Sequence, residues 1–441
     1  MKLIIQHHAR LKFFFNRLKE RLWVKPLMIS LLSIATLFVA KLMDKYLPQG
    51  QLPNVSSESI EALLSISASS MLVMAVFAVT AMLSAYASAS VTATPRSFPL
   101  VIADDASQGA LSAFIGTFIF SVVGLTALLN GYFDRSGRFL LFLLTYMVFA
   151  VVIIRFIRWV DSIARLGRLG TVIEKVEKCT EQALRRRFRH PLLGAKKQVE
   201  GLTGRAVYAD QVGYVQRIDL AEIQKAAEDN DYQVHIVVVP GNFVTRRSPL
   251  VYINYDNNEK NLSAGGNHFT EIIDAFVVGN CRNFDDDPRL GLIVLSEIAS
   301  RALSPAVNDP GTAIGIIGSM VRLFSMQEVD EKSTITEVLF DRVSMQELSL
   351  GDMFDDAFNP IARDGAGCIE VMLRLQKALH ALALLDDVQI REAATAHSQY
   401  ALLHAESALK IPADIEILRK SANWSLQNTY TQSKHYRSSS T

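Results

Sequence analysis

The sequence predicts a membrane α-helical bundle of four transmembrane helices followed by a cytoplasmic α+β domain. Three observations carry this expectation. Residues 62 to 95 form a run without a single charge, and three more apolar stretches occupy the first third of the chain. Beyond residue 157 the pattern changes to basic helices, β-rich stretches and acidic loops, as a water-exposed domain requires. About twenty consecutive apolar residues cross a bilayer, and 441 residues leave room for a bundle and one or two soluble domains. The order reads as a basic N-terminal segment (1–25), a four-helix membrane domain (26–159), a basic juxtamembrane helix (160–200), a small α+β unit (201–260), a mainly helical domain (261–420) and a polar tail (421–441).

The four apolar windows span residues 26–43, 61–89, 111–130 and 139–157. Lys41 interrupts the first, where a lysine can snorkel to the headgroups. Trp23 and Trp159 stand where interfacial aromatics are expected. A cleaved signal peptide fits the first window poorly: its charged lead is long and no small-x-small site precedes Lys41. Orientation follows from the flanks. Lys2, Arg10, Lys12, Arg17, Lys19, Arg21 and Lys25 precede the first window against Glu20 alone. Arg155, Arg158, Arg165, Arg168, Lys175, Lys178 and the run Arg185, Arg186, Arg187 follow the last. Positive flanks face the cytoplasm, so both termini are expected on the cytoplasmic side, which requires an even number of spans.

The second window is long. At the helical rise, residues 62 to 95 reach about 50 Å against a hydrocarbon core of about 30 Å, so the helix must tilt, project or break. Thr80, Ser84, Ser88 and Thr92 repeat every fourth residue beside Ala81, Ala85, Ala89 and Ala93, making one face of small or weakly polar side chains. Close helix packing is the ordinary use of such a face; lining a narrow path in an oligomer is the other. No ionisable residue lies in the middle of the second or third window, which speaks against a proton relay or ion-coupled transporter. Gly109, Gly116 and Gly124 in the third window are expected at close contacts, with Phe114, Phe118 and Phe120 around them. Thr94-Pro95-Arg96, then Phe98, Asp104 and Asp105, make a compact turn in which proline stops the helix.

Residues 161 to 189 read as one basic amphipathic helix with Ile163, Leu166, Leu169, Val172, Ile173, Val176 and Leu184 on its apolar side, suited to anionic lipid headgroups of the inner leaflet. A nucleic-acid partner is not expected, because this charge sits directly against the membrane. Residues 213–218 read as a strand, Asp219 as the cap of a helix reaching about Asn230, residues 234–239 as a strand, Pro240-Gly241 as a turn and residues 250–253 as the returning strand. The phrase from Gly241 to Ile253, with Phe243, Val244 and Pro249, resembles the hairpin of barrel-sandwich modules, but the lysine that such carriers modify is missing, so a structural strand pair is expected. Gly265-Gly266 makes no phosphate loop.

Asp285, Asp286 and Asp287 before Pro288 suit a helix start, and the apolar spacing from Leu290 to Leu303 must stop at Ser304-Pro305. Asn308-Asp309-Pro310 then opens a second helix with Asp309 as its cap. The resulting elbow gathers Arg301, Ser304, Asn308, Asp309 and Thr312. It is read either as an anion site or, more ordinarily, as a buried hydrogen-bonded corner in which Arg301 or Arg289 satisfies Asp309. Further strands and helices are expected over residues 338–343, 350–362 and 365–385, then a final helix with His397, Tyr400 and His404 as ordinary surface residues, and disorder from Ser433.

The stretch Arg301-Ala-Leu-Ser-Pro-Ala-Val-Asn-Asp-Pro-Gly-Thr-Ala313, together with Thr94-Pro95-Arg96, Phe114-Ile-Gly-Thr-Phe118 and Gly213-Tyr-Val-Gln-Arg-Ile-Asp219, resembles the signature of the DUF2254 family of bacterial predicted membrane proteins. The resemblance covers roughly residues 26 to 385, and Gly311 stands where a bulkier residue is common in such sequences. It implies an inner-membrane protein with four spans and a cytoplasmic domain, and it implies no reaction.

Cys179, Cys281 and Cys368 are far apart and form no C-x-x-C pair, which fits reduced thiols rather than disulfides or zinc. No nucleophile–base set, metal set or cofactor loop is spelled, so a non-enzyme without cofactor is expected. Two functions remain: a homo-oligomeric channel or permeation protein with a cytoplasmic gating domain, or a non-conducting membrane sensor or scaffold that binds a ligand or partner through that domain.

Overall fold

The computed structural model describes residues 23–44, 53–102, 104–165, 167–198, 204–255, 269–331 and 337–438. The basic positions from Lys2 to Arg21, Leu166 and the Gly265-Gly266 pair lie outside them. Contacts divide the chain into two compact units, Met1–Val172 and Ile173–Thr441.

The first unit contains α1 (Val24–Asp44), α2 (Ser57–Thr92), a 3-10 turn (Pro95–Ser97), α3 (Phe98–Ile102), α4 (Asp105–Leu129) and α5 (Arg135–Ile163). Side-chain caps set two of the starts: Ser56 accepts the Ser59 amide at 3.2 Å, and Asp104 accepts the Ser107 amide at 3.0 Å. Helices α1, α2, α4 and α5 are long and apolar enough to cross a membrane. Of these, α4 is the centre: 56% of its apolar window is buried, against 22%, 28% and 17% for the others in order. It packs on α1, α2 and α5. Its glycines make this possible, since a Cβ on Gly116 would lie 2.5 Å from Ile29 Cγ2, and one on Gly124 would touch Leu37, Leu64 and Leu141. Phe114 and Phe120 are fully buried beside them, while Phe118 is half-buried.

Hydroxyls in these helices bond to their own backbone: Ser30 to the Pro26 carbonyl, Ser33 to Ile29, Ser67 to Leu63, Ser112 to Gln108 and Thr145 to Leu141, all within 2.8 Å. An apolar solvent offers no partner, so the turn below supplies one.

Of the two tryptophans at the ends of the apolar windows, Trp159 is 1% exposed and packs edge-on against Phe77 and Phe114 at 5.8 and 6.2 Å, whereas Trp23 is 56% exposed. One expectation is corrected here. The basic helix expected over residues 161–189 is broken. Gly167 adopts φ +86°, and a Cβ on it would lie 2.9 Å from the Ala85 carbonyl oxygen, so the chain turns where it touches α2 and restarts as α6 (Leu169–Arg189).

Among the described residues, the second unit contains two sheets. The larger has the order β1-β8-β4-β6-β2, from β1 (Ala195–Lys197), β2 (Arg205–Tyr208), β4 (Tyr232–Ile236), β6 (Pro249–Tyr255) and β8 (Phe340–Met345). The smaller has β5-β3-β7, from β3 (Gly213–Ile218), β5 (Phe243–Val244) and β7 (Phe276–Gly279). Strands β4 and β6 are antiparallel, but β8 pairs parallel with both β4 and β1. A parallel pair needs a long crossover, so the sheet takes strands from outside residues 201–260. Val234, Ile236, Val251, Ile253, Val343 and Met345 face the core, covered by Ile223, Ala226 and Ala227 of α7 (Leu220–Asp229). Asp219 caps α7 by accepting the Glu222 amide at 3.3 Å.

The crossover runs through the short α8 (Thr270–Asp274), then α9 (Pro288–Ala302) and α10 (Pro310–Glu331). Asp287, 2% exposed, caps α9 by accepting the Leu290 amide at 3.2 Å and takes both Nε and Nη2 of Arg282 at 2.6 and 2.9 Å. The Pro240-Gly241 turn presses on the same carboxylate: Gly241 has φ +97°, and a Cβ there would lie 2.4 Å from Asp287 Oδ2.

After β8 come α11 (Leu350–Asp364), α12 (Ile369–Ala383), α13 (Val388–Ala408) and α14 (Pro412–Ser438). Phe324, Phe354 and Phe358 form the aromatic centre, with ring centroids 4.5 to 5.8 Å apart. Gln376 and Ser398 hold α12 to α13 by two hydrogen bonds, at 2.5 and 2.9 Å. His397 is not a surface histidine. It is 8% exposed, with Nδ1 2.7 Å from the Ala393 carbonyl and Nε2 3.0 Å from Asp355 Oδ1, and so joins α13 to α11. Disorder was expected from Ser433, but the backbone of α14 stays helical to Ser438; no glycine or proline interrupts residues 413–438.

Two outcomes follow from this packing. Gly116→Leu drives a side chain into Ile29 and should lower stability in detergent by about 1–3 kcal/mol, with partial recovery in the Gly116→Leu/Ile29→Ala pair, read by thermal unfolding. Asp287→Ala strands Arg282 and removes the cap of α9, and should cost about 3 kcal/mol, whereas Asp285→Ala on the same loop should cost far less.

Candidate functional site

The face of α2 and the elbow are the two places where sequence puts functional side chains together. On α2 the stripe used by the chain itself is Met71, Ala75, Ala78, Met82, Tyr86 and Ala89, all buried. These positions recur every three or four residues, as one helix face demands. Thr80, Ser84 and Ser88 lie on the other side and are exposed on the protomer. Thr80 donates its hydroxyl to the Val76 carbonyl at 3.0 Å. Thr92 lies in the last turn of the helix. The face read from the sequence is divided: on its alanine side Ala89 and Ala93 are buried, Ala81 and Ala85 are half-buried and Ala85 meets Gly167, whereas the hydroxyls of Thr80, Ser84 and Ser88 point away from the bundle.

The elbow forms as expected between α9 and α10, but it is an exposed corner rather than a buried one. Ser304 donates to the Arg301 carbonyl at 2.7 Å, and its own carbonyl accepts the Val307 and Asn308 amides at 3.0 and 2.9 Å. Asn308 takes φ +50°, a conformation asparagine tolerates, and the Asp309 amide then reaches the Ala302 carbonyl at 2.8 Å. The Asp309 carboxylate caps α10, accepting the Thr312 amide at 3.1 Å and the Thr312 hydroxyl at 2.5 Å. These bonds, the hydroxyl first, hold its pKa below the ordinary carboxylate range. Arg289 is committed elsewhere, to Asp356 at 2.6 Å and Asp352 at 2.7 Å. Arg301, Val307 and Asn308 are exposed. A helix N-terminus already filled by its own carboxylate offers little to an outside anion.

One feature of the second unit was not legible in the sequence. A cavity of about 600 Å³ is lined by Leu184, Arg187 and Phe188 of α6, Gln327 of α10, and Leu348 and Met353 before and within α11, among others. These positions are more than 150 residues apart at the extremes, so no local motif announces them. Arg187 is 8% exposed, and its Nη2 makes a long contact of 3.5 Å to the Gln346 carbonyl. Burial pushes its pKa down to about 10 against the pull of Glu347 and Asp286. Its neighbours are also engaged: Arg185 pairs with Glu181 at 3.0 Å, and Arg186 meets Asp286 at 3.4 Å and the Asp285 carbonyl. Of this arginine run, Arg187 is thus buried within the unit, while Arg185 and Arg186 pair with acids at its surface.

The elbow geometry sets a pH response. A depressed carboxylate stabilises the fold above its unfolded pKa, and that contribution is lost as pH falls through the lower folded value. Asp309→Ala should therefore cost about 1 kcal/mol near neutral pH, with the gap to the parent closing below the ordinary carboxylate range; denaturant titrations at successive pH values read this directly.

The family described as predicted membrane protein (DUF2254) matches residues 19–381. Uncharacterised proteins of Mycobacterium tuberculosis and Mycobacterium bovis are 34% identical over 110 residues, which is 25% of this chain and 21% of theirs. The match thus spans about a fifth of the length of these relatives. No solved structure matches. With most of its length matched, and with four helices among the described residues long and apolar enough to cross a membrane, the chain belongs to this family of predicted membrane proteins.

Proposed function

We propose that the chain is a bacterial inner-membrane protein with both termini in the cytoplasm, assembling as a homo-oligomeric channel or permeation protein whose second unit regulates the path. The observation that carries the reading is the exposed hydroxyl face of α2, at Thr80, Ser84 and Ser88. The chain spends the opposite face on its own bundle and leaves this one uncovered. Small, weakly polar faces are where membrane helices of separate copies approach closely, and a ring of them borders a wettable axis. On this reading the protein is not an enzyme and takes no cofactor. Anionic headgroups meet the exposed Arg158, Arg168 and Lys178 rather than the engaged run at 185–187.

The cavity beside Arg187 favours a second reading, a non-conducting sensor or scaffold that binds a small ligand within the second unit. Cysteines placed at 80, 84 and 88, after removal of Cys179, Cys281 and Cys368, separate the two. A conducting oligomer predicts modification by a membrane-impermeant thiol reagent and a matching fall of current in planar bilayers. Uniform protection of the three sites, with a monomeric mass in detergent, sinks the channel and leaves the sensor.

A further inference from the structure

Two loops of the second unit meet in one tip that the function above does not use. The β2–β3 loop and the β5–β6 loop run side by side, held by the Ala209 amide on the Ser248 carbonyl at 3.3 Å and by Arg246 Nε on the Asp210 carbonyl at 3.1 Å. The second loop is a stiff turn: the Ser248 amide reaches the Thr245 carbonyl at 2.8 Å, and the Thr245 amide reaches Ser248 Oγ at 3.0 Å. Three large apolar side chains stand out from this tip, Tyr208, Val212 and Phe243, with exposures of 49%, 55% and 56%. Phe243 is steadied edge-on by Tyr214 at 5.1 Å. Arg246 and Arg247 are exposed beside them, with Asp210 the exposed acid of the same loops.

Apolar side chains on a rigid tip, rimmed by arginines, match the two layers of an anionic bilayer surface: an acyl boundary for the rings and the valine, phosphates for the guanidinium groups. A second copy fits less well, because a two-fold contact through this patch sets each arginine pair against the same patch of its mate. The family places the chain in a membrane, which supplies lipid at high effective concentration to a tethered unit. We propose that this tip docks on an anionic lipid surface, with Val212 and Phe243 entering the headgroup boundary and Arg246 and Arg247 engaging phosphates.

The test uses the full chain in lipid nanodiscs, with Cys179, Cys281 and Cys368 replaced and an environment-sensitive dye on Val212→Cys. Discs of phosphatidylcholine with phosphatidylglycerol should give blue-shifted emission and quenching by spin-labelled lipid, and pure phosphatidylcholine much less. Arg246→Gln and Arg247→Gln should each lower the docked population about fivefold, while the same dye on the exposed Lys225→Cys stays aqueous throughout. Val212, Lys225, Arg246 and Arg247 are exposed, and thermal unfolding unchanged from the cysteine-replaced parent establishes that the variants are folded. An aqueous Val212 signal in anionic discs overturns the proposal. So does immersion indifferent both to phosphatidylglycerol and to the arginine pair, and so does a Val212→Cys cross-link between copies, which assigns the tip to a protein contact.

Discussion

The carboxylate of Asp287 is out of reach of solvent, and a buried charge is tolerated only where partners replace the water it has lost. It has two, which supply three N–H groups: Arg282 brings two and the first turn of α9 brings the Leu290 amide, while the Gly241 turn closes over the carboxylate with no side chain in between. One carboxylate thus fixes where the helical part of the second unit begins and how the turn after β4 lies against it. That turn is in register with β3, since the Gly241 amide bonds the Val215 carbonyl at 2.8 Å and the Val215 amide bonds the Asn242 carbonyl at 2.9 Å. Both sheets and α9 therefore share one electrostatic anchor. Glycine is obligatory at 241 on two counts, its left-handed φ and the absence of room for a Cβ.

The first unit solves the opposite problem. In α1, α2, α4 and α5 few side chains are charged, so the polar groups needing partners are hydroxyls and the backbone itself. Many of the hydroxyls bond to the preceding turn, and packing is left to shape: Gly116 against Ile29, and Trp159 against Phe77 and Phe114. Such back-bonding also tempers what a hydroxyl can signify. Thr80 is bonded to Val76 and needs neither water nor a neighbour. The weight of the channel reading lies on which face the chain covers, not on the presence of hydroxyls.

Local rules were legible in the sequence wherever the partner is near in the chain. Asp219, Asp287 and Asp309 cap the helices they precede, Pro95 stops α2, and the close-contact role of Gly116 is met. Where the partner is distant, the pattern was silent or misleading. The parallel β4–β8 pair joins residues about a hundred positions apart, so β8 could be read as a strand but not assigned to that sheet. His397 has the spacing of a surface residue until Asp355 and Phe354 are brought to it by α11. The break at Gly167 is invisible because the reason for it is the backbone of Ala85. The elbow was located correctly, but its exposure was not, since burial depends on what the rest of the unit covers.

Charge is where sequence and structure part most instructively. Counting Lys and Arg beside apolar spans treats every cation as free to choose its solvent, yet Arg185, Arg186 and Arg187 are bound to Glu181, the Asp285–Asp286 loop and the Gln346 carbonyl. Glu177 shows the reciprocal case. Burial alone raises its pKa, but Arg322 and Ser319 donate to it at 2.6–2.9 Å and hold it below the ordinary range. Helix α6 is also locked sterically, for Thr180 fills a notch that exists because residue 291 has no side chain: a Cβ there would lie 1.8 Å from Thr180 Oγ1. A helix keyed into its unit this way is a structural member first. Its cations enter an orientation argument only where they remain exposed, as Lys178 does.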